Sequence, residues 1–158
     1  MSRASVLTVI AILLAGACST SSPSRGAPGK VELVASPASG DLVAYVTSEV
    51  RRGDQDRVPV LVYVGATWCE PCREFHAAAM SGKLDAVLGP LRLLEFDLDR
   101  DGTRLAAAGY RSELVPLFAR PRSDGSASGS QTDGVKKGHG YVDQLTPRIR
   151  ALVAAPTR

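Results

Sequence analysis

Apolar positions follow two periods along this chain, and their alternation predicts the order of its elements. Val31 to Ala35 is a short apolar run suited to a first strand, and Pro37 to Gly40 interrupts it. From Asp41 to Arg52, Leu42, Val43, Val46 and Val50 fall at helical spacing, with Ser39 or Asp41 placed to cap the N-terminus. Gly53 to Arg57 reads as a polar loop. Val58 to Val64 is then nearly continuous and β-branched, the pattern of a strand covered on both faces.

A helix is predicted from Cys69 to about Ala79, resuming after Gly82 to Leu88, where Gly89-Pro90 ends it. Leu91 to Leu98 reads as a strand and Thr103 to Ala108 as helical. Leu114 to Arg120 is strand-like, although Pro116 near its start is unusual in a central strand. Ser123 to Ser130, rich in Gly and Ser, reads as a hairpin loop, followed by a strand around Gly134 to Gly138 and a last helix from Tyr141 to Val153. The predicted order β, α, β, α, β, α, β, β, α argues for an α/β domain, a mixed sheet with helices on both faces.

Composition narrows the function. With 158 residues, 44% hydrophobic and 22% charged, the chain has the make-up of one folded domain. The net charge of +3 comes from 19 basic and 16 acidic residues scattered along it, so no basic run is long enough to track a phosphate backbone, and nucleic acid is not an expected partner.

The first residues follow a different logic. Arg3 precedes an apolar stretch from Val6 to Leu14, then small residues lead to Cys18, the layout of a secretory signal. The stretch is well short of the ~20 residues a membrane-spanning helix requires. Leu14-Ala15-Gly16-Ala17-Cys18 resembles a bacterial lipobox, with Ala15 where the pattern usually has Leu. The expectation is a signal peptide over 1–17 and a lipidated Cys18 opening a Ser/Pro/Gly-rich tether over 18–30. A folded domain over 31–155 would then sit in the bacterial cell envelope, anchored by lipid and facing the periplasm. Cleavage before Cys18 at the Ala15-Gly16-Ala17 pattern, giving a soluble periplasmic protein, is the alternative.

Assigning Cys18 to processing leaves Cys69 and Cys72, separated by two residues. A bridge closing so short a loop constrains the unfolded chain very little, so the pair reads as chemical equipment. It lies directly after the buried strand and opens a helix. There the unpaired N–H groups and the positive end of the helix dipole favour thiolate over thiol. Cys69 is therefore the predicted nucleophile and Cys72, one turn on, the resolving thiol. Pro71 falls in the first turn, where its missing N–H breaks no helical bond. Trp68, beside the thiol, is expected to shield it and offer substrate contact.

The sequence Trp68-Cys69-Glu70-Pro71-Cys72 after an apolar strand, joined by Leu114-Val115-Pro116 farther on, resembles the thioredoxin superfamily, over roughly Val31 to Val153. The resemblance implies a thioredoxin fold and thiol–disulfide exchange with protein thiols, needing no cofactor. It implies that Pro116 is a cis-proline facing the disulfide, that Val115 offers backbone groups to a bound chain, and that Gly138 or Gly140 matches a glycine of the final strand. The Cys-Glu-Pro-Cys form looks like the reductases that serve cytochrome c maturation, which implies a reductase supplied by a membrane electron-donor protein, and a monomer. Glu70 beside Cys69 should disfavour its thiolate and make the pair more reducing. Two positions depart from thioredoxins. Tyr63 stands where a buried Asp is usual, and Glu95 stands where that Asp has a Lys partner, making Glu95 a candidate for the proton transfer, with Glu70 or water as the competing ones.

The same residues admit other readings. Cys69 and Cys72 could hold copper, or half of a zinc site, with only His76 and His139 as further ligands of that kind. A non-catalytic binding module with a relic motif is a third reading. Asp97 to Gly102 imitates the start of a calcium-binding loop, but the twelfth position is Ala108 where a bidentate Glu is required, so the segment reads as a strand end and polar turn. Tyr110 and Phe118 read as core, and Lys136-Lys137 as a solvated edge.

Overall fold

A computed structural model describes residues 29–155. The segment expected as a signal peptide, and Cys18 after it, lie outside the described residues. The elements are β1 (Val31–Ala35), α1 (Leu42–Asp56), β2 (Val60–Gly65), α2 (Glu70–Met80), α3 (Asp85–Leu88), β3 (Leu91–Asp97), α4 (Leu98–Ala107), β4 (Leu117–Pro121), β5 (Ala127–Asp133) and α5 (Tyr141–Ala154).

Among the described residues the strands form one mixed sheet in the order β1-β3-β2-β4-β5. β1, β3 and β2 run parallel, while β4 and β5 are antiparallel additions. The continuous apolar run of β2 is explained by its place between β3 and β4, where both of its faces are covered. Leu61, Tyr63, Leu93 and Phe118 pack on one face against Phe75 and Ala79 of α2 and Leu145 and Ile149 of α5. Val62, Val64, Leu94 and Phe96 pack on the other against Leu42 and Val46 of α1 and Leu105 of α4. Tyr63, Phe75 and Phe118 form an aromatic trio with ring centroids 4.8 to 5.4 Å apart. No described helix is long and apolar enough to cross a membrane.

The strand expected from Leu114 is β4, which begins only at Leu117, so Pro116 precedes it and takes no ladder place that would need its missing N–H. Three further boundaries differ from the sequence-based expectation. The first concerns α1, capped as predicted by Asp41, whose side chain accepts from the Ala44 N–H at 3.0 Å. It continues through the expected loop to Asp56, and Arg57 in the left-handed region ends it. Gly53 is therefore a helix residue, buried where α1 meets the chain entering β2. A Cβ there would stand 2.4 Å from Val60 Cγ2 and 2.7 Å from the Val58 carbonyl oxygen. Gly53→Ala should accordingly destabilise the domain by about 1–3 kcal/mol through overpacking, although alanine is the better helix former by about 1 kcal/mol. A urea unfolding curve of the variant equal to or above wild type would refute this close approach.

The second boundary is the Asp97 to Gly102 segment, expected as a polar turn. It is the first turn of α4, which begins at Leu98 instead of Thr103. Asp97 caps it by accepting from the Arg100 N–H at 3.0 Å, and Asp99 and Asp101 supply negative charge where the helix dipole favours it. Third, the last strand is β5, not Gly134 to Gly138. The later residues of the expected loop belong to β5 instead, Ala127 lying opposite Pro121, and the strand runs on to Thr132 opposite Phe118. The polar side chains of this edge hairpin conceal its strand character, because sheet hydrogen bonds need no apolar residues.

Candidate active site

β2 ends at Gly65, and the turn Thr67-Trp68 delivers Cys69 to the N-cap of α2. Arg73 steadies that turn by donating to the Thr67 carbonyl at 2.9 Å. Cys69 and Cys72 are joined by a disulfide with an S–S distance of 2.08 Å. The Cys72 N–H points at Cys69 Sγ, 3.2 Å away, and Pro71 sits in the first turn. That N–H, with the dipole of α2 behind it, stands where it stabilises a Cys69 thiolate. Exposure does not separate the two sulfurs, since Cys69 is 5% and Cys72 3% accessible in the disulfide. Their positions on the helix do: the donor N–H faces Cys69, while Cys72 lies inside the first turn.

Val115 and Leu98 pack against the small cluster formed by Ala66, Cys69 and Cys72. The Val115–Pro116 peptide bond is cis. Pro116 is buried just before β4, and its carbonyl accepts from the Gly134 N–H at 3.0 Å. Here the structure corrects the glycine expectation. Gly138 and Gly140 lie in the loop after β5, whereas Gly134 at the strand's end packs on this segment, with a φ of 55°. A Cβ on Gly134 would come 2.8 Å from Leu114 Cδ1.

Parallel strands feeding helices, a Cys-x-x-Cys disulfide opening α2, and a cis-proline segment leading into the antiparallel hairpin now stand together. The fold is the thioredoxin fold. No family model matches the chain, and no curated protein matches it. Among solved structures it is similar to a mutant thioredoxin from Halobacterium salinarum, at 19% identity and a TM-score of 0.47, over 84% of this chain and 98% of that one. It is similar also to thioredoxin O1 from Arabidopsis thaliana in the oxidized state, at 22% identity and a TM-score of 0.49, over 79% of this chain and 99% of that one. Thioredoxin f from spinach chloroplast is similar at 26% identity and a TM-score of 0.44, over 78% of this chain and 94% of that one.

Several polar side chains surround the disulfide. Trp68 is 62% exposed, and its indole N–H donates to Asp99 Oδ2 of α4 at 3.0 Å. The indole is thereby tied across the Cys69 side of the site. The partnership of Asp99 with Trp68 has no local signal in the sequence, because the two stand 31 positions apart. Glu70 opens α2, exposed, with Oε2 at 3.5 Å from the Tyr141 hydroxyl.

Behind Cys72 lies a cavity of about 370 Å³ whose walls include Tyr63, Cys72, His76 and Glu95. Tyr63 and Glu95 are register partners across β2 and β3, so their side chains share one face of the sheet. The Tyr63 hydroxyl donates to the Cys72 carbonyl at 3.2 Å. Burial, with a smaller contribution from the Glu95 charge, pushes its pKa far above the ordinary phenol value. Tyr63 is thus a fixed neutral donor. Glu95 Oε1 meets His76 Nδ1 at 2.7 Å, a pairing of two residues that the sequence had considered only separately. The soft donors for a metal would be the two thiols of the reduced pair. Among the described residues, no group of three or more His, Cys, Asp or Glu side chains is arranged to hold a metal ion.

Proposed function

We propose that this protein is a thiol–disulfide oxidoreductase acting on protein thiols outside the cytoplasm, and that it works as a reductase. The observation that carries the reading is the buried Cys69–Cys72 disulfide, with a backbone N–H aimed at Cys69 from the start of a helix. Such a bridge adds little to stability and is placed for reactivity. In the reduced protein the Cys69 thiolate attacks one sulfur of a substrate disulfide. A mixed disulfide forms and the other substrate sulfur leaves as a thiolate. Cys72 then attacks Cys69 Sγ, the internal disulfide closes, and the second substrate sulfur departs, so two electrons have passed to the substrate. Val115, packed at the disulfide, orients the bound chain through its backbone.

The reductase direction is supported by Glu70. Its carboxylate, in the first turn of α2, opposes part of the helix-dipole stabilisation of the Cys69 thiolate and so favours the oxidised pair. The N-terminal pattern ending at Cys18 supports a lipid anchor in the cell envelope and a membrane electron-donor protein that restores the dithiol. Equilibration of the purified protein against dithiothreitol measures the reduction potential. A value near −270 mV is expected for this role, and one near −120 mV, the oxidant end of the scale, would reverse the assigned direction.

A further inference from the structure

The resolving step has to dispose of a proton. A free cysteine has a pKa of about 8.5, so at neutral pH Cys72 is mostly a thiol, and its burial opposes ionisation further. The cavity of about 370 Å³ behind it has room for several water molecules, and the groups around it can be tested in turn as proton acceptors. From β2, Tyr63 is excluded, because its hydroxyl proton is already committed to the Cys72 carbonyl and its pKa is far above neutral. Arg73 of α2 and Arg100 of α4 are donors only, tied to Thr67 and to Asp101 with Ser36. Asp97 accepts from the Arg100 N–H as the cap of α4. Glu95 of β3 is engaged by His76 Nδ1 at 2.7 Å. His76 Nε2 remains, a ring nitrogen without a hydrogen-bond partner among the described residues.

We propose that His76 accepts the Cys72 proton in the resolving step and that Glu95 is its positioning residue. His76 stands four residues after Cys72 on α2, which places the two on one helix face, one turn apart. Both also line the same cavity. The Glu95 carboxylate holds the proton of the neutral ring on Nδ1, which leaves the lone pair on Nε2 free. The Cys72 S–H proton passes through a cavity water to Nε2 while the sulfur electron pair forms the bond to Cys69 Sγ. The Cys69–substrate S–S bond breaks and the substrate sulfur leaves as a thiolate. His76 then returns the proton to solvent, which its 45% exposed side chain reaches.

This inference rests on the oxidoreductase reading, and one experiment separates the two. The reduced protein, with Cys18 replaced by serine so that only Cys69 and Cys72 can react, is mixed in a stopped-flow instrument with excess dithiobis(nitrobenzoate), whose released thiolate is coloured. The first release reports attack by Cys69, and the second reports displacement by Cys72. In His76→Gln the second release should be slower by roughly tenfold or more at neutral pH, with the first unchanged. The difference should shrink as the pH rises toward the range where Cys72 ionises in the solvent and needs no acceptor, which its burial sets above the free-cysteine value of about 8.5. Glu95→Gln should fall between His76→Gln and wild type. A second release in His76→Gln equal to wild type, or slowed by one factor at every pH as a merely structural change would produce, overturns the assignment. So does a Glu95→Gln variant that loses the pH dependence while His76→Gln keeps it, since Glu95 would then be the acceptor. Absence of a first release from wild type overturns the oxidoreductase reading and this one with it.

Discussion

Replacing Cys72 with serine is expected to arrest the protein at the midpoint of exchange. Cys69 can still attack a substrate disulfide, because its activation comes from the Cys72 backbone N–H and the dipole of α2, neither of which the side-chain change removes. The mixed disulfide then has no internal thiol to displace it, so the substrate stays bound through sulfur. On a non-reducing gel Cys72→Ser should accumulate a covalent adduct that dithiothreitol dissolves, whereas Cys69→Ser should form none. Turnover in insulin reduction should fall on the order of a thousandfold or more in both. The fold should survive, since opening so short a loop costs the folded state little, and circular dichroism would verify that. Adduct formation by Cys69→Ser in place of Cys72→Ser would reverse the assigned roles of the two sulfurs.

A second large effect is expected at Asp101, on stability. This carboxylate is 0% exposed. It accepts from Arg100 at 2.7 and 2.9 Å, from Arg104 at 2.8 and 3.1 Å and from the Asp97 N–H at 3.1 Å. Arg100 continues to Ser36 Oγ at 2.8 Å, and Arg104 to the Pro37 carbonyl, so Asp101 ties the start of α4 to the chain leaving β1. Asn keeps the volume but not the charge, and its amide sets N–H donors against the guanidiniums of Arg100, 43% exposed, and Arg104, 21% exposed, so Asp101→Asn should cost about 1–3 kcal/mol at neutral pH.

The pH dependence has a definite sign. Burial pushes the Asp101 pKa up, but the hydrogen bonds from Arg100 and Arg104 and from the Asp97 N–H outweigh it and hold the carboxyl below its ordinary value. A depressed folded-state pKa adds stability that is fully present above the unfolded value of about 3.9 and is lost as pH falls through the folded one. Urea unfolding at a series of pH values should show a constant gap between wild type and Asp101→Asn near neutrality that narrows only below about pH 4. A gap that narrows between pH 5 and 7 would instead place the ionising group elsewhere.

Both predictions concern residues with very different visibility in the sequence. Cys69 and Cys72 were legible because their meaning is local: two thiols one helical turn apart, after a continuous apolar strand, define strand, turn and helix start at once. Pro116 was legible through a resemblance, and the cis bond found there agrees with it. Asp101 was misread, since the segment around it looks like a polar turn whenever its partners are out of view. Glu95 is legible as a candidate and His76 only as a possible metal ligand, although the two are one hydrogen-bonded pair.

By itself the sequence determined the α/β alternation, the buried central strand and the redox pair, because period, turn residues and helix-start chemistry act over a few neighbouring positions. The tertiary structure alone decided which side chains serve that pair. Tyr63 and Glu95 meet through strand register, Glu95 and His76 through the packing of α2 on the sheet, and Trp68 and Asp99 through the approach of α4. Gly53 is confined by the chain entering β2, and Gly134 by Leu114. Each of these contacts depends on how elements pack across the sheet, and packing between distant segments leaves no period in the chain from which it could be read.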